Sequence, residues 1–138
     1  MSVDAYKEEL LLEILKEFRK RFRHMDEVYR LTKELADGLS RDDRVSACMV
    51  LDMRGKELEE VSECDRHIQI FQSSMQEEEA NRLGALLKGE AKEDGFEYPG
   101  RWKDLKDIAG KTKAIWSRTM EIDRAISKKM AGADSYYK

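Results

Sequence analysis

Over residues 3–37 the positions Leu11, Leu15, Phe18, Phe22, Met25, Tyr29, Thr32 and Ala36 follow at steps of 4, 3, 4, 3, 4, 3 and 4. Such a seam turns one stripe of an α-helix toward a neighbour, and Ile14, Val28 and Leu35 widen it on one flank. Asp37-Gly38 then predicts a stop, because glycine is the usual residue just past a helix end. A second helix is expected over 41–88, capped by Ser40 or Asp42 and free of proline. Its apolar positions are Val45, Cys48, Leu51, Leu58, Val61, Cys64, Ile68, Phe71 and Met75. The register weakens around Gly55, a residue that costs a helix interior about 1 kcal/mol against alanine and leaves room for a bend or crossing. The polar stretch from Gln76, with three successive glutamates, predicts an extension projecting past the bundle.

Residues 89–100 (GEAKEDGFEYPG) form the clear loop and hold the single proline, Pro99. A third helix is expected over 101–130. There Leu105, Ile108, Thr112, Ile115, Thr119, Ile122 and Ile126 step 3, 4, 3, 4, 3, 4, with Trp102, Trp116, Met120 and Met130 beside the seam. Residues 131–138 are expected to fray into a disordered tail. The predicted fold is all-α: an elongated antiparallel helical hairpin plus a third C-terminal helix, a three-helix bundle with coiled-coil-like packing. The whole of 1–138 is expected to be a single helical domain.

Composition sharpens this without changing it. The chain has 138 residues, of which 40% are charged, 41% hydrophobic and 8% aromatic, with a net charge of −3. This balance suits long solvated helices and argues against β-sandwich, α/β and disordered chains. Nucleic-acid binding usually needs a basic excess, and the nearest cluster, Lys16, Arg19, Lys20, Arg21 and Arg23, is interleaved with acids. The N-terminal apolar run contains acids and is no signal peptide, and no apolar stretch approaches the roughly 20 residues of a membrane span. A cytoplasmic protein is expected. Cys48 and Cys64, some 24 Å apart along one helix, cannot join in a disulfide and are expected to pack as small hydrophobes.

Catalytic chemistry finds no foothold in the motifs. His24 and His67 sit on different segments, without the paired Glu-x-x-His spacing of di-iron bundles, and convergent zinc ligands are too few. Phosphate-binding glycine loops and nucleophile elbows are absent. Chorismate-mutase-type bundles grip a dicarboxylate with buried Arg and Lys, and the runs Arg66 to Ile70 and Asp123 to Ile126 are only faintly similar. No enzyme activity, cofactor or metal is expected. Trp116, Met120 and Met130 lie off the third seam, where two readings stand: a broad face buried between two helices, or a surface that receives another helix.

Arg54, Leu58, Val61, Asp65 and Ile68 in MRGKELEEVSECDRHIQIF resemble the second helix of the FlgN-type family of flagellar type III export chaperones. In that helix a basic residue precedes a run of the type L-x-x-I-x-x-x-D-x-x-I. Ile115, Met120, Ile122, Asp123 and Ile126 in IWSRTMEIDRAISKKM resemble its closing helix; the length and the order long helix, longer helix, loop, shorter helix are also similar, so the likeness covers nearly the whole chain, and FliT-type chaperones are next of kin. The resemblance implies a cytoplasmic chaperone that binds the amphipathic C-terminal helices of hook-associated or filament-cap proteins and delivers them to the export apparatus. The client surface it suggests is Ile115, Trp116, Met120, Ile122, Ile126 and Met130. The competing expectation is a scaffolding coiled-coil module whose exposed stripe is a homodimer seam.

Overall fold

A computed structural model of the chain describes residues 3–90 and 98–137, and side chains only within 5–90 and 98–130. Every element among the described residues is helical: α1 (Val3–Ser40), α2 (Arg44–Gln72), α3 (Glu77–Lys88) and α4 (Arg101–Tyr137). The all-helical expectation holds, while the three-helix detail is corrected to four. Most of the expected 89–100 loop, 91–97, lies outside the described residues. The stretch 131–137, expected to fray, continues α4.

Two boundaries moved for local reasons. α1 does not stop at Gly38 but runs on to Ser40, and the reversal is made by Asp42, whose φ of 55° is left-handed. Gly38 stays inside the helix, buried, where a Cβ would make only ordinary contact with the Asp43 carbonyl oxygen at 3.7 Å. Neither Ser40 nor Asp42 caps α2; Asp43 does, its carboxylate accepting from the Ser46 amide at 3.1 Å.

The single helix expected over 41–88 is broken at 73–76. Ser73 and Ser74 turn their hydroxyls back onto the carbonyls of Ile70 and Phe71, at 2.6 and 2.8 Å, bonds that compete with helix continuation. Beyond the break Glu77, Glu78 and Glu79 make the first turn of α3, where carboxylates complement the positive end of the helix dipole. The acidic stretch therefore starts a new helix rather than projecting past the bundle. Gly89, left-handed at φ 70°, ends α3, with the Glu90 amide donating to the Ala85 carbonyl.

α1 is the spine. α2 runs antiparallel to it, and α4 runs parallel, from Arg101 beside Glu8 (3.1 Å) to Ile126 against Leu31 and Leu35. Among the described residues α2 and α4 pack on α1 but not on each other, and α3 packs on both α2 and α4 from the side opposite α1. One end of the rod is thus a four-helix bundle in cross-section, with α1 and α3 on one diagonal. Its core joins Ile14, Phe18, Ile68, Leu83, Leu86, Trp102 and Leu105. The other end has three helices and a separate, smaller core of Leu31, Leu35, Ala47 and Val50.

The inward side of α2 differs from the expected stripe. Val45, Cys48 and Leu51 are exposed, and the positions that face α1 are Ala47, Val50, Arg54, Glu57, Val61, Cys64, Ile68 and Phe71. These keep heptad steps throughout, but two are charged, so hydrophobicity hides the seam. Both find partners across the packing: Glu57 lies 2.6 Å from His24 Nδ1, and Arg54 pairs with Asp123. In α1, Phe22, Tyr29 and Ala36 are only half-buried, while the flank Ile14, Val28 and Leu35 is fully in the core, because α1 must face two helices.

Candidate helix-binding groove

The heptad seams of α2 and α4 hold them apart on two sides of α1, which leaves a groove between them with α1 as its floor. In its first half α3 fills the groove. Leu83 and Leu86 are fully buried there, Arg82 stacks over Trp102 at 5.0 Å, and Lys7 pairs with Glu79 at 3.3 Å. Gln72 donates to the Ala80 carbonyl at 2.7 Å, and Gly84 lets the two helices approach that closely, since a Cβ would meet the Gln72 amide nitrogen at 3.1 Å. The last carbonyls of α3 are also held: Arg21 donates to Leu87 O at 3.4 Å and Lys113 to Gly89 O at 2.7 Å.

Past Gly89 the groove continues without α3. A hollow of about 340 Å³ opens there, floored by Met25 of α1. Leu58, Val61 and Ser62 of α2 form one wall, and Ala109, Thr112, Lys113 and Trp116 of α4 the other. Trp116 is 40% exposed, an unusual position for so large an apolar surface. Farther along, the Arg54 guanidinium crosses the floor, 2.7 Å from Asp123 Oδ1 and 3.3 Å from Thr32 Oγ1. This bond ties α2 to α4 where no helix packs between them. It also joins the two segments on which the family resemblance rests, and Asp65 of the first segment pairs with Arg21 at 2.6 Å.

The six residues expected to form one client surface divide. Trp116 and Met120 turn toward the groove, Trp116 lining the hollow and Met120 half-buried one turn on. Ile115 and Ile122 follow Ile108 at steps of seven along the opposite flank of α4. There Ile108 borders a shallow hollow with Lys16, Arg19, Phe22 and Arg23. Ile126 packs on the Leu31 and Leu35 core, and Met130 is 51% exposed. The α2 wall, Leu58 and Val61, and the role of α3 as an occupant of the groove were missed. Their signal was the pair of serines followed by three glutamates, which marks a helix end and a new helix start.

The polar groups of the hairpin are spent on holding α1 to α2. His67 Nδ1 lies 3.4 Å from an inward-turned oxygen of Glu17, beside the Cys64 thiol. Burial, and then the Glu17 carboxylate, push that thiol up to about 11. A thiol held neutral in this way is a packing group, not a nucleophile. Cys48 is exposed. Among the described residues no three His, Cys, Asp or Glu side chains converge to hold a metal, and no helix is long and apolar enough to cross a membrane.

Fold and groove together define a class: a helical hairpin carrying two further helices, with a groove half filled from within. No protein-family model, curated protein or solved structure matches the chain.

Proposed function

We infer that the protein is a chaperone for amphipathic helices, and that it serves flagellar type III export in the manner of the FlgN-type family its second and last helices resemble. One observation carries the reading: among the described residues, the groove that α3 fills with buried leucines runs on unfilled past Gly89, lined by the half-exposed Trp116. A disordered client segment that would otherwise aggregate through its apolar stripe gains the missing partner face there, at an affinity reduced by the cost of ordering it. On this reading the protein works in the cytoplasm and has no catalytic role. Its partners are hook-associated or filament-cap proteins and the export apparatus.

The test is pairwise co-purification with the C-terminal segments of the hook-associated and cap proteins of the source organism. Trp116→Glu and Met120→Glu variants run beside the wild type, with far-ultraviolet dichroism on each. Expected is a stable complex with one or two of these segments, lost in the variants at unchanged helicity. Binding to none of them defeats the flagellar assignment, and variants that unfold return both residues to the core.

A second reading, a self-associating scaffold, draws on the outer face of α2. Val45 is 74% and Met49 63% exposed, with Met53 next along the same stripe. A dimer that Met49→Glu dissolves, with no client bound, favours it.

A further inference from the structure

The turn between α2 and α3 lacks the residues that usually end a helix. From Lys56 to Leu83 the chain has neither glycine nor proline, and the left-handed residues Asp42, Gly89 and Gly100 all lie elsewhere. Ser73 keeps helical torsions (φ −64°, ψ −18°), and the departure comes at Gln76, where ψ is 152°. The Gln76 side chain does not cap α3, so the first amides of that helix gain no acceptor from it. The local brake is the pair of serine hydroxyls on the Ile70 and Phe71 carbonyls. Straightened, the stretch returns the orphan amides to carbonyls four residues back, through Met, Gln and Glu, which are good helix formers. Local preference therefore favours one helix from Arg44 to Lys88, about 67 Å long, and tertiary contacts fold it back.

Those contacts divide at the turn. Beyond it α3 and α4 hold each other, through Arg82 over Trp102 and Lys113 on the Gly89 carbonyl, so they can move as one unit. Before it lie α1 and α2, which meet that unit through Lys7–Glu79, Arg21 on the Leu87 carbonyl, and the core shared by Ile68 and Leu83. All three are made across the packing, not along the chain, and the α3–α4 unit of a second copy supplies them equally. What an exchange gives up is the turn itself. Its amide bonds, from Ser74 to the Phe71 carbonyl and from Met75 to the Gln72 carbonyl, are ones a continuous helix replaces.

We propose that the turn at 73–76 is a hinge for exchange between two copies of this chain. Each copy straightens α2 and α3 into one helix, and the two trade their α3–α4 units, so that each groove is filled by the α3 of the other copy. The straight helices lie antiparallel about Gln76. Gln72 and Ala80 then stand about 12 Å apart along each helix, which sets the two frames end to end. Trading an identical element across a short hinge is a low-cost route to a dimer. In dilute solution the closed monomer prevails, because one chain meets its own two halves at high effective concentration. This exchange needs no client and does not use the outer face of α2.

The test is to unfold the full chain, refold it at millimolar and at micromolar concentration, and size the products by chromatography with light scattering. Expected from the concentrated sample is a dimer that persists on dilution, since parting it requires each α4 to leave the other copy's α1. Small-angle scattering should show it nearly twice as long as the monomer. Ser73→Ala/Ser74→Ala/Gln76→Ala should raise the association constant about tenfold, through helix propensity summed over both chains. Gln76→Pro should abolish the dimer, because proline forbids the continuous helix while its fixed φ fits the −65° of the closed turn. Gln76→Gly, with no ring to strain the residue before it, should weaken the dimer in the same direction. A monomer in every sample of wild type and triple variant overturns the proposal. So does a dimer that is wider but no longer than the monomer, or one that Met49→Glu dissolves; either assigns the contact to the outer face of α2.

Discussion

The two ends of this rod share α1, α2 and α4 and differ in whether a fourth helix lies between α2 and α4. At the filled end α3 knits the flanking helices through Leu83 and Leu86, and the core there gathers residues from all four helices. At the open end α2 and α4 are linked, among the described residues, by the Arg54–Asp123 bridge, and the core is a small cluster around Leu31 and Leu35. Among the described residues the same frame is thus a closed core in one half and an unfilled groove in the other. What separates the filled stretch of groove from the unfilled one is not composition but the reach of one twelve-residue helix.

The contrast is broken most strongly by emptying the filled end. Leu83→Ala should cost about 2–5 kcal/mol, because it leaves a cavity among immobile neighbours, whereas Val50→Ala at the open end should cost about 1–2 kcal/mol. Urea midpoints of the two variants compare them directly, and equal losses would show that α3 adds nothing to the packing of its end.

The filled end also holds the buried thiol. Cys64 is raised to about 11 in the fold, while in the unfolded chain a thiol titrates near 8.5. Stability from keeping it neutral is full below the unfolded value and is lost as pH rises toward the folded one, because the unfolded chain then binds fewer protons. The wild type should lose about 2 kcal/mol more than Cys64→Ala between roughly pH 8 and 11. Parallel pH dependences of the two would show that the thiol is not shielded.

Arg54→Met tests the Arg54–Asp123 link of the open end. It strands Asp123 in a half-buried place and should cost about 1–2 kcal/mol, of which Arg54→Met/Asp123→Leu should recover most. If the double variant is no more stable than the single one, the bridge is not what holds the flanking helices in place. The smallest effect belongs to Gly55, exposed in the middle of α2 with nothing within 4 Å of where a Cβ would stand. Gly55→Ala should therefore stabilise by about 0.5–1 kcal/mol, read as a rise in melting temperature. A loss instead would reveal a close approach at that point.

The helices of α1 and α4 were legible because their seams are apolar at nearly every inward step, from Leu11 to Ala36 and from Leu105 to Ile126. The seam of α2 was not, because Arg54 and Glu57 occupy inward positions and are partnered by Asp123 and His24, residues far away in the chain. Hydrophobic periodicity sees only what a residue is, and a charged group becomes an inward one only when its partner arrives. Within the candidate site, Trp116 and Met120 could be picked out as surplus to the α4 seam. That Ile115 and Ile122 fall on the other flank depends on the direction from which α1 is approached.

Local composition by itself determined that this chain is helical, where the seams of α1 and α4 run and that Gly89 closes a helix. Those outcomes follow from steric and hydrogen-bonding preferences acting within a turn or two of chain. Tertiary structure alone decided that α3 folds back between α2 and α4 and that, among the described residues, the groove runs on unfilled beyond Gly89. A groove belongs to the spacing between helices, and that spacing is set by pairs such as Arg54 and Asp123 that no local window contains.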